Sequence, residues 1–173
     1  MFAAISDFTN TSHYLSILNG ALLTDLLFLV LLIFGVYQSK VLEEWYRKYT
    51  LSAVIEDVLI LVIGVVLARL LYKPVFGESF SIVKLTFLAV CIQIVHDILF
   101  YVFFTSIPVG KNKMMDTFKQ YAKEVGVYAI LADSCMTTLT VLLSSWLASY
   151  NLNVNLIVLI FVIYLFPYTL YTL

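Results

Sequence analysis

The chain of 173 residues has little charge for its length. Charged residues make up 12% of it and hydrophobic residues 62%, whereas an average soluble domain carries roughly 25% charged residues. This deficit excludes an ordinary water-facing surface. The net charge of −1 supplies no basic surface for nucleic acid. There is no glycine-rich phosphate loop and no dinucleotide-binding fingerprint, so we expect no nucleotide cofactor.

Cysteine is also scarce. The two cysteines, Cys91 and Cys135, both fall inside apolar runs. This pattern predicts neither a disulfide framework nor a zinc site built from spaced cysteines. We therefore expect no cofactor of any kind.

Long apolar runs take the place of the missing polar surface. A helix needs about 20 apolar residues to cross about 30 Å of hydrocarbon. The runs predict spans at residues 14–37, 51–72, 81–104, 126–150 and 153–172, with an interfacial amphipathic helix at 112–125. The predicted fold is all-α: a polytopic transmembrane helix bundle that forms a single domain over residues 1–173. Four spans would result if one run were only buried or re-entrant.

The connections between the spans predict the orientation and the membrane surface. Two connections hold seven basic residues and the opposite side holds three, which predicts a lumenal or outside N-terminus and a cytosolic C-terminus. The segment SKVLEEWYRKYT is interpreted as a short connection at the membrane surface and KPVFGES as a tight turn. Interfacial aromatic belts are predicted at Trp45, Tyr46, Tyr49, Tyr72 and Tyr150. The predicted contacts with a partner or the membrane surface are Lys111, Lys113, Lys119 and Lys123.

Acidic residues inside the spans are the main functional signal. A charge at the centre of a bilayer costs at least about 2.5 kcal/mol on insertion scales, so such residues usually face protein or water. Helical spacing puts several polar side chains on shared faces, where they would meet inside a bundle. The predicted polar core consists of Asp25, Glu56, Asp57, Gln93, His96, Asp97, Tyr101, Asp133 and Thr137.

Three interpretations of this polar core stay open. The acids could form a hydrogen-bonded core that fixes the arrangement of the helices, which is the interpretation the sequence favours. They could instead form a proton or cation path. A metal site is the third interpretation, with His96, Asp97 and Asp133 as its weak candidates.

Residues 96–136, about a quarter of the chain, carry a resemblance to a known group of proteins. Their pattern is a His-Asp, a Phe-Tyr, a Pro-x-Gly-x-Asn turn, a Met-Asp-x-Phe-Lys-x-Tyr helix and an Ala-Asp-Ser. It comprises His96, Asp97, Phe100, Tyr101, Pro108, Gly110, Asn112, Met115, Asp116, Phe118, Lys119, Tyr121, Ala132, Asp133 and Ser134. This block resembles uncharacterised multi-span membrane proteins of large double-stranded DNA viruses of algae and protists. The resemblance implies a virion internal membrane or a host endomembrane, and it supplies no catalytic residues.

The leading prediction is a non-enzymatic, structural or interaction protein of a viral membrane. Its partners would be the lipid bilayer, capsid or other membrane proteins, and further copies of itself, with no nucleic acid. The alternative is a small proton- or cation-coupled transporter or channel that uses the buried carboxylates and His96. The third candidate is a metal-dependent membrane enzyme.

Overall fold

The computed structural model describes residues 2–173, and every long regular element in that range is an α-helix. The helices are α1 (Tyr14–Ile33), α2 (Lys40–Tyr49), α3 (Leu51–Phe76), α4 (Ile82–Ser106), α5 (Lys113–Val125), α6 (Tyr128–Leu147) and α7 (Leu152–Leu170). Helices α1, α3, α4, α6 and α7 are long and apolar enough to cross a membrane. The prediction of a bundle with five spans is therefore confirmed.

Two short amphipathic helices accompany the spans, where the sequence predicted one. Helix α5 begins after Asn112, whose side chain accepts hydrogen bonds from the N–H groups of Met114 and Met115 at 2.9 and 3.2 Å. Helix α2 lies in the segment interpreted as a connection at the membrane surface, for which the sequence predicted no helix. Its first turn is capped by Ser39, whose hydroxyl accepts from the N–H of Leu42 at 3.1 Å.

The first span is shorter than predicted. Helix α1 ends at Ile33, not at residue 37, because Gly35 adopts a positive φ of 69°. The N–H of Gly35 bonds to the carbonyl of Leu32, and the N–H of Val36 bonds to that of Leu31, both at 3.0 Å. These two bonds form a Schellman motif, which terminates a helix.

The second span is longer than predicted. Helix α3 runs through Pro74 to Phe76 rather than ending at residue 72, so the tight turn is confined to the residues after it. Pro74 lies in the last turn at an exposed position, so its missing N–H affects the hydrogen bonding of α3 only near the end of the helix. Gly77, with a φ of 78°, then ends the helix. Helix α6, at 128–147, is shorter at both ends than the predicted 126–150.

Four of the spans form a ring in which neighbours along the ring are α1, α3, α4 and α6. Helix α7 lies outside this ring against α1, and α2 and α5 contact each other at one end of the bundle. The ring is packed differently at its two ends. We call the end around Gly20, Ala89 and Ser144 the closed half, and the end around Asp57 and Asp133 the cavity half.

The closed half is held together by small residues. A Cβ atom at Gly20 would lie 2.8 Å from the backbone nitrogen of Ser144 and 2.9 Å from the carbonyl oxygen of Thr140, so α1 and α6 approach almost backbone to backbone. Between the same helices, the Thr140 hydroxyl donates to the Thr24 hydroxyl at 3.1 Å. Such contacts between small residues are typical of packed membrane helices.

The N-terminal segment covers the closed half. Ile5 is completely buried, and Ala3 and Ser145 exchange two hydrogen bonds, one of them from the Ala3 N–H at 3.0 Å. The guanidinium of the buried Arg69 donates to the carbonyl of Asp7 and, at 2.7 Å, to that of Asn10. The segment is therefore fixed to the ends of α3 and α6.

Candidate functional site

The cavity half encloses a space of about 620 Å³. Its walls come from α3, α4 and α6, and the two amphipathic helices α2 and α5 also line it. A volume of this size lies within the range of roughly 300–1,000 Å³ that is typical of small-molecule sites.

Eight of the nine polar residues predicted for the core line this one cavity: Glu56, Asp57, Gln93, His96, Asp97, Tyr101, Asp133 and Thr137. Glu56 and Tyr101 stand at exposed positions, whereas Gln93 and Thr137 are buried. No lysine or arginine within residues 2–173 lines the cavity. Four carboxyl groups therefore share this space without a permanently charged basic partner in its wall.

Asp97 is the centre of a polar chain that joins α4 to α6. Its carboxylate accepts a hydrogen bond from the Gln93 amide one turn earlier, and the Nδ1 atom of His96 lies 3.2 Å from its Oδ1. The Ser134 hydroxyl on α6 donates to the side-chain Oε1 atom of Gln93 at 2.9 Å. The ring of His96 is partly exposed and stacks on Phe100.

Asp133 differs from Asp97 in having no partner. It lines the cavity from α6, and no hydrogen bond or ion pair joins its carboxyl group to another described residue. The carboxyl group therefore points at the open volume with its hydrogen-bonding capacity unused.

Two aromatic side chains of α2 donate hydrogen bonds to aspartates in the membrane spans. The indole N–H of Trp45 donates to Asp57 at 3.2 Å, and the Tyr46 hydroxyl donates to Asp25 at 2.9 Å. Asp25 has no exposed surface and lies behind Tyr46, so it is the one predicted core residue that does not line the cavity. Burial raises the pKa of the Tyr46 hydroxyl well above its usual range, and the neighbouring Asp25 adds to the shift.

Helix α5 completes the wall with aromatic rings. Phe118 packs against Trp45 at 4.9 Å between ring centroids and against Phe100 at 5.0 Å. The Tyr121 hydroxyl lies 3.1 Å from that of Tyr37. Burial, with a contribution from this hydrogen bond, raises the pKa of Tyr121.

Glu124 of α5 fixes α2 in place. Its carboxylate accepts from the N–H groups of Lys40 and Val41 at 2.8 and 2.9 Å and from the Ser39 hydroxyl at 3.1 Å. Burial opposes ionisation of this group, but the three donors outweigh it, and the pKa of Glu124 lies below its usual range. A carboxylate from another helix thus caps the first turn of α2.

The four basic residues predicted to contact a partner or the membrane surface lie on or beside α5. Lys111, Lys113 and Lys123 are exposed. Lys119 is largely buried, and its ammonium group donates to the carbonyl of Ile107 and lies 3.8 Å from Asp116. Lys119 therefore ties α5 to the end of α4.

The site predicted from the sequence does not include the aromatic side chains of α2. Trp45 and Tyr46 are only 3% and 4% exposed, and Tyr72 is also buried, so their assignment to interfacial belts is wrong. The spacing of Leu42, Trp45, Tyr46 and Tyr49 gives α2 one apolar face. This spacing is the sequence pattern that could have predicted the buried aromatic face of α2.

The candidate ligands for a metal do not converge. Within residues 2–173, no three His, Cys, Asp or Glu side chains come together in an arrangement that could hold a metal ion. His96 and Asp97 are adjacent on α4, and Asp133 lines the same cavity from α6.

No protein-family model, curated protein or solved structure matches the chain. The geometry of the cavity therefore carries the functional argument.

Proposed function

We propose that this multi-pass membrane protein is a small proton- or cation-coupled transporter that binds its cation in the carboxylate-lined cavity. The observation that carries the proposal is the convergence of four carboxyl groups and His96 on one cavity without a lysine or arginine in its wall. A bound cation, or protons, would supply the missing positive charge.

The alternative of a purely structural polar core accounts less well for this arrangement. A core that only holds helices together is expected to satisfy its polar groups with one another. Asp25 and Asp97 fit that expectation in part, because each accepts a hydrogen bond from the protein. Asp133 does not, since it faces an open volume without a partner.

The packing supports a cavity that is closed at one end of the bundle and lies near the other. The closed half blocks the ring at the end covered by the N-terminal segment, and the cavity lies towards α2 and α5. The connections on the α2 and α5 side carry seven of the ten basic residues, and this bias supports a cytosolic position for this side. The N-terminus would then lie outside or in a lumen.

Ion flux in proteoliposomes tests the proposal. We expect an imposed gradient of a monovalent cation, inorganic or organic, to change the emission of an enclosed pH dye, and Asp133→Asn to reduce the rate at least tenfold. Glu78→Gln is the matched control, because Glu78 is an exposed carboxylate paired with Lys73 outside the cavity. Equal flux in wild type, Asp133→Asn and protein-free vesicles, with organic cations also tried, would reject transport.

A second candidate is a structural component of a viral membrane. It rests on the resemblance of residues 96–136 and on the broad apolar faces of α4 and α7, including Phe87, Ile160 and Phe161. Capsid proteins would contact the exposed Lys111, Lys113 and Lys123. The copy number of the chain in gradient-purified particles tests this candidate, and absence from particles would rule it out. No specific observation favours the third candidate, a metal-dependent membrane enzyme.

A further inference from the structure

The cavity is much larger than an inorganic ion needs. Inorganic cations are held by several oxygen or nitrogen ligands that converge on one point. Here the acids are spread around a volume of about 620 Å³, and no three potential ligands among residues 2–173 converge. The dimensions fit a small organic molecule instead.

The walls provide aromatic surfaces beside the negative charges. Trp45, Phe100, Phe118 and Tyr121 all line the cavity, together with Asp57, to which the Trp45 indole is bonded. Aromatic faces attract cations through their quadrupoles, and they do so most strongly for organic cations that shed water easily. Carboxylates and aromatic rings together select a positively charged, partly apolar ligand.

The cavity also reaches the outer apolar surface of the bundle between α3 and α4. Ile63 of α3 and Ile98 of α4 line it and are 50% and 54% exposed. Gly64 lines the same side, and a Cβ atom placed on it would meet no atom within 4 Å. The ring is therefore open beside Gly64, at a face that would lie against lipid.

We propose that the ligand is a lipophilic organic monocation, such as a hydrophobic amine or a quaternary onium ion, that enters from the bilayer beside Gly64. This inference rests on the proposed function and names its substrate class. The carboxyl groups of Asp97 and Asp133 neutralise the cation, and the aromatic rings of α2, α4 and α5 surround its apolar groups.

Binding of tetraphenylphosphonium to the purified full-length chain in nanodiscs tests the charge requirement. The chain has two tryptophans, and Trp146 lies in the closed half, so a Trp146→Phe background makes Trp45 the only indole reporter. We expect saturable quenching of Trp45 emission. Asp133→Asn and Asp97→Asn should each raise the Kd at least tenfold, whereas Glu78→Gln should leave it within twofold.

A neutral analogue of similar shape separates cation recognition from general apolar binding. Triphenylphosphine oxide should bind at least tenfold more weakly than tetraphenylphosphonium to the wild-type chain. Equal affinity for the two probes, or an unchanged Kd in both acid variants, would overturn the proposal. Asp133-dependent flux of an inorganic ion without tetraphenylphosphonium binding would overturn the substrate class and leave the proposed function standing.

The entry route is tested by filling the gap. Gly64→Leu should slow the association of tetraphenylphosphonium from the bilayer at least fivefold, while Gly64→Ala should leave it nearly unchanged. Both variants place atoms in open space, so neither should lower the unfolding temperature. Wild-type association rates in Gly64→Leu would show that the ligand enters elsewhere.

Discussion

The two ends of the helix ring are packed in opposite ways, one tightly and the other around a cavity. In the closed half, Gly20 lets α1 and α6 approach until a Cβ atom would lie 2.8 Å from the backbone of Ser144. In the cavity half, the same α6 carries Asp133 and Met136 towards a space of about 620 Å³. The side chains of one helix therefore change from small and tightly packed to large and widely spaced within three turns.

We expect this difference to divide stability and the proposed ligand binding between the two ends of the bundle. Close packing and interhelical hydrogen bonds provide the free energy of association of membrane helices. Partly unsatisfied carboxyl groups at membrane depth work against it. Stability should therefore depend most on the closed half, while ligand binding should depend on the cavity half.

The largest expected loss of stability comes from Gly20→Ala. The added methyl would overlap with backbone atoms of α6 that cannot move unless the helices separate, which should lower the free energy of unfolding by about 3 kcal/mol, the upper part of the range for overpacking. Gly64→Ala is the matched control, because its methyl meets nothing within 4 Å, and it should be neutral or slightly stabilising. Thermal unfolding in detergent measures both, and equal unfolding temperatures would contradict the close approach.

The second prediction concerns the fully buried pair of Asp25 and Tyr46. Asp25→Leu removes the acceptor of the Tyr46 hydroxyl and should cost about 2 kcal/mol, because a buried donor is left without a partner. Asp25→Asn keeps an acceptor oxygen and should cost much less. The pair Asp25→Leu with Tyr46→Phe should recover part of the loss. If the double variant is as unstable as the sum of the single ones, the hydrogen bond is not the cause.

The sequence predicts the spans better than it predicts these two regions. Five apolar runs are sufficient to place α1, α3, α4, α6 and α7, since hydropathy is a property of each segment alone. Even the early end of α1 has a local signal, because Gly35 provides the positive φ that the Schellman motif requires. Helix α2 is short and charged, so its sequence favours an aromatic belt at the membrane surface, whereas the structure buries Trp45 and Tyr46.

The cavity has no comparable local signal. Helical spacing puts Gln93 and Asp97 on one face, and the structure places them together in one wall. However, the gap beside Gly64 depends on how far α3 and α4 diverge, and the position of Asp25 behind Tyr46 depends on a contact between residues 21 positions apart. Such distances follow from the packing of the whole ring.

The third prediction tests whether α5 holds α2 over the cavity. Glu124→Ala removes the cap that α5 supplies to α2 and leaves the Ser39 cap in place. The loss should be about 1 kcal/mol, seen as faster amide hydrogen exchange at residues 41–49. The pKa of Glu124 is lowered in the folded protein, so its stabilisation is present above the ordinary value near 4.5 and disappears as the pH falls through the lower folded pKa. Exchange in wild type, corrected for the intrinsic pH dependence, should therefore approach that of the variant below this pH. An unchanged exchange rate in Glu124→Ala at pH 7 would contradict the capping role.

The smallest expected effect distinguishes hydrogen bonding from packing within the closed half. Thr140→Val removes the hydroxyl that donates to Thr24, but the Thr24 hydroxyl still donates to the carbonyl of Gly20 at 2.8 Å. No buried donor is left unpaired, so the loss should be about 0.6 kcal/mol, the average for hydrogen bonds between membrane helices. Chemical unfolding in mixed micelles, with Gly20→Ala measured in parallel, gives the ratio of the two losses. A loss in Thr140→Val as large as that in Gly20→Ala would mean that the hydroxyl pair, and not the close approach of the backbones, holds α1 to α6.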